Sequence, residues 1–380
     1  MSELRPKKTV QKILISTTSR FIGEYEADGM LIAHASSGFA GTPNLPTTLT
    51  ENPLCRNSFI ISFETPPMEK DPLALPDYSV VGDRWCTYLS ILFGKRFDNH
   101  GLVEGIGFFR LPQFEHYSTL CNPRLPQNNH SPRKDLEIEL DLKLVSLVER
   151  LIVNRNLEPQ FVQFLRSAGR FYLQALQTFE RQPETAYLNL ITCGEILSNY
   201  YNDEYEKEDL LDDETKSLLG GIEKCCQDGP KIAKQVRGRL MQVKRRFVKT
   251  VLKLLNDYFF THSESTEPLW CLRKENMELR IAAAYDLRSC YVHSGIDFGV
   301  WVSLWANHGL EVQLGTPNIE DQRFQKSLTD APTFLGLERI MRFCLLRFMH
   351  LNGVEIDARL ADTQPEQPNP GDVSRPTSEP

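Results

Sequence analysis

Apolar and polar residues alternate over residues 10–16, and that period of two predicts a strand. Residues 21–34 read as a β-hairpin with Asp28-Gly29 at its turn, because such a pair accepts the positive φ of a two-residue hairpin loop. Residues 58–63 and 101–111 predict two further strands. Between them Trp85, Leu89, Leu92 and Phe93 form one apolar stripe, and Asp83 is placed to cap that helix. Pro-rich loops at 65–76 and 121–132 separate these elements, and the second is the expected domain boundary.

From residue 141 the period changes to that of a helix. An apolar run over 144–153 leads into a first helix. Pro159 suits a first helical turn, with a helix over 161–179 behind it, and Pro183 opens another over 185–201. A long helix is expected over about 231–259, with Ile232, Val236, Leu240, Val243, Phe247 and Val251 on its buried face. A helix over 275–293 is closed by Ser294-Gly295, where glycine suits the left-handed C-terminal position. A short strand at 310–314 and an amphipathic helix over 334–351 follow. No internal repeat is visible.

The chain is therefore expected to be α+β. A strand-containing mixed α/β domain of unread role spans 1–135, and an all-α helical bundle spans 141–355. Residues 358–380 hold five prolines and no aromatic residue, which predicts a disordered tail.

Composition narrows the function classes. With 380 residues, the length favours more than one domain. No run approaches the roughly 18 apolar residues of a membrane helix. The first residues lack the apolar core of a secretion signal. Nine cysteines, an odd number with no CxxC pair, read as free thiols of a cytoplasmic protein, Cys193, Cys290 and Cys344 among them. The glycines at 38–42 and 105–107 lack the residues of a phosphate loop. No GxSxG elbow occurs, and the eight histidines show no metal spacing. No metal and no cofactor are expected.

The net charge of −7 conceals a division. Eight acids fall between Asp203 and Glu214, in what is expected to be a solvated loop. Nine bases fall between Lys231 and Lys253, with no acid among them. Two readings of that basic face are open. It tracks an RNA backbone, with Lys244, Arg245 and Lys249 as contacts, or it is solvated and paired within the chain.

One constellation carries chemistry. Tyr285-Asp286-Leu287-Arg288-Ser289-Cys290-Tyr291-Val292-His293 places Arg288 five residues before His293, near the end of a helix. Five residues turn about 140° around a helix, so two long side chains reach the two walls of one groove. Imidazole is the side chain suited to general acid–base work near neutral pH, and guanidinium is a planar fork for phosphate oxygens. These two residue types suffice for RNA cleavage in which the 2′-hydroxyl attacks the adjacent phosphate. The alternative is structural: the arginine caps carbonyls and the histidine closes the helix. Glu195 either assists or pairs with an arginine such as Arg288 or Arg280.

The run AAAYDLRSCYVHSG resembles the RxxxxH motif of HEPN domains, in particular the Apea-like group. AYLNLITCGEILSNYY is similar to an early helix of such domains, with Glu195 at a recurrent acidic position, and ERIMRFCLLRFMHL to their closing helix. The resemblance covers about residues 140–355. It implies a helical bundle and a homodimer in which Arg288 and His293 of each chain line a shared cleft. It further implies a metal-independent endoribonuclease, of a kind common in phage-defence and toxin systems. Ser289 stands where active members often carry Asn, Asp or His, so it is expected to assist more weakly. The rival implication is a HEPN-like module that dimerises and binds RNA, a nucleotide or a protein without cutting. A free ribonuclease would harm its host, so a regulatory partner or trigger is expected, but no residue identifies it.

Overall fold

Strand β1 (Thr9–Thr17) runs through the middle of an antiparallel sheet. The computed structural model describes residues 9–27, 29–35, 57–66, 77–105, 108–110, 122–153, 156–202, 205, 210–211, 213–239, 243–301 and 310–361. The other strands are β2 (Tyr25–Ala27), β3 (Met30–His34), β4 (Asn57–Thr65), β5 (Phe97–Gly105) and β6 (Phe108–Phe109). Their order is β2-β3-β4-β1-β5-β6, with Ile13 opposite Ile61 and Tyr25 opposite Ile32. The hairpin turns between Ala27 and Met30, with Gly29 at φ +79°; Asp28 lies outside the described residues. The strand expected at 101–111 begins four residues earlier, at Phe97, because it pairs along β1 from Thr17.

Helix α1 (Ser79–Phe93) packs on β1 and β5. Asp83 does not cap it. The Asp77 carboxylate accepts from the Ser79 N–H at 2.9 Å and turns the chain into the helix there. Asp83 lies inside the helix and accepts from Asn99 Nδ2.

Helices α2 (Ser146–Val153), α3 (Pro159–Thr178) and α4 (Pro183–Tyr200) follow, near their expected positions. Glu158 accepts from the N–H groups of Gln160 and Phe161 and fixes the start of α3. The acidic stretch lies mostly outside the described residues. Asp213 and Glu214 are an exception, because they open helix α5 (Asp213–Cys225), which the sequence pattern did not announce. The helix expected over 231–259 is at least two elements in different cores. α6 (Gly229–Arg239) packs on α5 around Leu211, Leu219 and Ala233. α7 (Val243–Leu254) inserts Phe247 and Val251 into the main core. Ile232, expected to be buried, is 40% exposed. Asn256 then caps the short α8 (Asp257–Thr261) by accepting from the Phe259 N–H.

α9 (Met277–Ser294) ends at Gly295 in the left-handed region, as expected. The strand expected at 310–314 is a single bridge between Val312 and Pro332. α10 (Gln322–Asp330) precedes the central helix α11 (Phe334–Leu351). The expected amphipathic character of α11 is not observed, because every residue from Phe334 to Met349 is buried. Neighbours enclose it on all sides, including α1, α3, α4 and α7. The first residues of the expected tail are ordered. Ala358–Leu360 form a 3-10 turn with Leu360 buried, and residues 362–380 lie outside the described residues.

The charged positions of α11 find partners across the molecule. Glu338 accepts from Arg133 Nη1 and Nη2 at 2.8 and 2.7 Å and from the Tyr172 hydroxyl at 2.5 Å. Arg133 also pairs with Glu264. Arg339 pairs with Glu311 at 3.0 Å and donates to the carbonyls of Phe259 and His262. Arg342 pairs with Asp135 at 3.0 Å and donates to the carbonyls of Ile91 and Leu92. Gly94 closes α1 at φ +61°, and an added Cβ there would lie 2.6 Å from Arg342 Nε. One core thus runs from Ile13 to Leu360 and takes in Leu125, Leu136, Ile138 and Leu140, while the buried Arg133 and Asp135 tie the segment 122–140 to α11.

Asp135 predicts how this network responds to acid. Burial pushes its carboxyl up, but Arg342, Arg133 and Arg339 together more than offset that and hold it at about 2, below the ordinary 3.8. A depressed folded-state value stabilises the fold above the unfolded value, and that contribution is lost as pH falls. Unfolding measured between pH 5 and 2 is therefore expected to show a loss of stability that starts at about 4 and is complete near about 2. An Asp135→Asn protein is expected to be less stable at neutral pH and to lack that slope. An equal acid slope in both proteins would contradict the assignment.

Candidate active site

Three helices build the site. α4, α7 and α9 pack against one another, and each contributes one wall. Gly194 lets α4 approach α7 closely, because an added Cβ would lie 2.4 Å from a Phe247 ring carbon. The Phe247 ring in turn lies 5.5 Å from that of Tyr285 on α9. This contact places Glu195, the residue after Gly194, across from the second half of α9.

Glu195 receives two groups from α9. The Tyr285 hydroxyl donates to its Oε1 at 2.9 Å, and Arg288 Nη2 lies 3.6 Å from its Oε2. The guanidinium carbon is 5.7 Å from the Tyr285 ring centre. Glu195 is thus the partner of Arg288 and not of Arg280, which donates instead to the carbonyls of Thr329 and Asp330. The Arg288 side chain remains 31% exposed. A charge at that exposure keeps part of its hydration and stays open to an anion from solvent.

Tyr285 registers the carboxylate. Burial and the hydrogen bond to Glu195 push its phenol up to about 12, while Arg288 pulls the other way. In a Glu195→Gln protein the phenol is expected to titrate lower, toward the ordinary 10. NMR of carbon-labelled tyrosine reads this directly, and an unmoved titration would place Glu195 elsewhere. Tyr285 was not among the residues singled out in the sequence. Its spacing three residues before Arg288, on the same helical face, was the available signal.

His293 lies in the last turn of α9, exposed to solvent. Its imidazole makes no hydrogen bond among the described residues. The helix carries it about 140° around and about 7.5 Å along from Arg288, so one chain does not bring the two side chains to one point. Ser289 is half-buried, and its hydroxyl likewise makes no hydrogen bond among the described residues.

The basic face divides. Lys244 is held by Asp286, with its ammonium 2.6 and 2.7 Å from the two carboxylate oxygens. Arg246 donates to Asn202 and Asn199, and Lys253 lies 4.1 Å from the centre of the Tyr201 ring. Arg245 and Lys249 are half-buried on the same helix, whereas Lys231 and Lys234 are exposed on α6. Lys244 is therefore engaged by an internal acid, and it comes from α9, not from the acidic stretch.

Among the described residues no group of three or more His, Cys, Asp or Glu side chains is placed to hold a metal ion. No helix among them is long and apolar enough to cross a membrane. Compared with known proteins, the chain matches no family model, no curated protein and no solved structure.

Proposed function

We propose that the protein is a metal-independent endoribonuclease of the HEPN type, acting as a homodimer with a shared cleft. The observation that carries this reading is the Glu195–Arg288 pair, in which a half-buried carboxylate, itself held by the Tyr285 hydroxyl, orients a guanidinium that still faces solvent. Arg288 binds the scissile phosphate and neutralises the charge that builds on its oxygens. His293 takes the proton of the 2′-hydroxyl, whose oxygen attacks phosphorus. The bond from phosphorus to the 5′ oxygen breaks, and the leaving oxygen accepts a proton from a second imidazole. The products are a 2′,3′-cyclic phosphate and a 5′-hydroxyl.

A single chain offers one motif histidine, and a two-fold dimer offers two. Glu195 and Tyr285 are positioning residues, and Ser289 borders the site. Lys249 is the basic-face group proposed to follow the RNA backbone; Lys244 would first have to leave Asp286, and Arg245 is likewise engaged within the chain.

A second reading is a dimeric module that binds without cutting. Ser289 favours it, because this half-buried residue after Arg288 makes no side-chain hydrogen bond among the described residues. Incubating single-stranded RNA with the purified chain in excess EDTA separates the two. Cleavage supports the nuclease, and binding without cleavage supports the module. Sedimentation at working concentration supplies the second arm, since a strict monomer overturns the shared cleft.

A further inference from the structure

A cavity of about 920 Å³ lies between α1 and α3, away from the Glu195–Arg288 site. Three arginines line it: Arg84 from α1, and Arg166 and Arg170 from α3. None of the three makes a hydrogen bond or ion pair among the described residues. The Arg84 Nε is buried and without an acceptor. Arg166 and Arg170 stand four residues apart on one helical face, an arrangement that costs stability when the charges are alike. Both Arg84 and Arg166 lie close enough to the buried Tyr88 hydroxyl to oppose the upward push of burial on its titration.

The nearby acids are committed elsewhere. Asp83 lines the cavity and accepts from Asn99 Nδ2 at 2.9 Å. Asp98 pairs with Arg96 at 3.2 Å and accepts from Gln177. The cavity thus gathers three guanidiniums around one acid. Its remaining wall is partly apolar, with Val80, Phe171 and Leu173. A pocket of several hundred Å³ that combines apolar wall with a few convergent polar groups is the usual form of a small-molecule site.

The geometry points to a binding site for a small phosphate-bearing ligand of mononucleotide size in this cavity. The guanidiniums take the phosphate, for which a planar fork is the matching donor. The apolar wall takes a flat base. A bare phosphate would leave most of the volume and the Phe171 wall unused. The site stands independently of the nuclease reading, because none of its residues belongs to that site.

Calorimetry and thermal unfolding of the full chain test it, with AMP, inorganic phosphate and adenosine as probes. AMP is expected to bind with a dissociation constant below about 1 mM and to raise the unfolding midpoint. Inorganic phosphate is expected to bind at least about tenfold more weakly, and adenosine to leave the midpoint unmoved. An Arg166→Gln/Arg170→Gln protein is expected to keep or raise the midpoint of the free chain and to lose at least about tenfold in AMP affinity. Arg84→Gln is the separate check from the other helix. No AMP binding by the unaltered chain overturns the site, as does AMP affinity unchanged in the double variant. Adenosine binding as tightly as AMP overturns the role of the phosphate. Phosphate binding as tightly as AMP overturns the nucleotide class.

Discussion

Replacing Glu338 with leucine is expected to lower the unfolding free energy by about 3–5 kcal/mol. Glu338 is fully buried and takes two hydrogen bonds from Arg133 and one from Tyr172. A leucine fills much of the space but accepts nothing. Among the described residues Arg133, itself 1% exposed, would keep only Glu264 and the Gly94 carbonyl as hydrogen-bond partners. The Tyr172 hydroxyl would be buried with no acceptor. Leaving one member of a buried charge pair behind is the costly change, and the net worth of the intact pair is small. Replacing both partners, Arg133→Met with Glu338→Leu, is expected to recover little of the loss, because the buried Glu264 carboxylate then loses Arg133 as well. Urea unfolding of the four proteins completes the cycle. A Glu338→Leu protein within about 1 kcal/mol of the unaltered chain would show that the network is not what joins α11 to residues 122–140.

The second large effect is catalytic. His293→Ala is expected to slow RNA cleavage by about 10²–10⁴-fold, the usual worth of a general acid–base group. Stability should hardly change, because the imidazole is exposed and makes no hydrogen bond among the described residues. RNA affinity should stay within a few-fold. Arg288→Ala is expected to slow cleavage and weaken binding together, and Arg288→Lys to restore little, since an ammonium lacks the planar fork. Single-turnover rates alongside direct binding measurements separate the two residues. A His293→Ala protein that fails only because it no longer binds would remove the acid–base role.

What could be read from the sequence was what chemistry decides within one turn of chain. Pro159 and Pro183 open α3 and α4, and Gly295 closes α9, because each acts through its own backbone. The hairpin at Gly29 was legible for the same reason. The start of α1 was misplaced because Asp83 lies inside the helix and accepts from Asn99, while the chain turns into the helix at Asp77, which accepts from the Ser79 N–H. The single long helix was a misreading of a continuous stripe, since spacing does not say that Ala233 and Phe247 enter different cores.

Pairings across the chain left no local mark. Glu338 meets Arg133 at a separation of 205 residues, and Arg342 meets Asp135 at 207. The candidate site was half legible. Arg288 and His293 stand out by type and helical context, and Glu195 by its place in an apolar helix. The hydroxyl of Tyr285 and the engagement of Lys244 by Asp286 became visible only once α4, α7 and α9 were brought together. The three arginines of the α1–α3 cavity are separated by some 80 residues, and only the Arg166–Arg170 spacing hinted at them.

The most direct measurement is the end-group chemistry of RNA incubated with the purified protein in EDTA. Cleavage by 2′-hydroxyl attack at a shared cleft predicts fragments ending in a 2′,3′-cyclic phosphate and beginning with a 5′-hydroxyl, and their loss in a His293→Ala protein that folds and binds as before. Fragments with 5′-phosphates, a strict metal requirement, or undiminished cleavage by His293→Ala would contradict it.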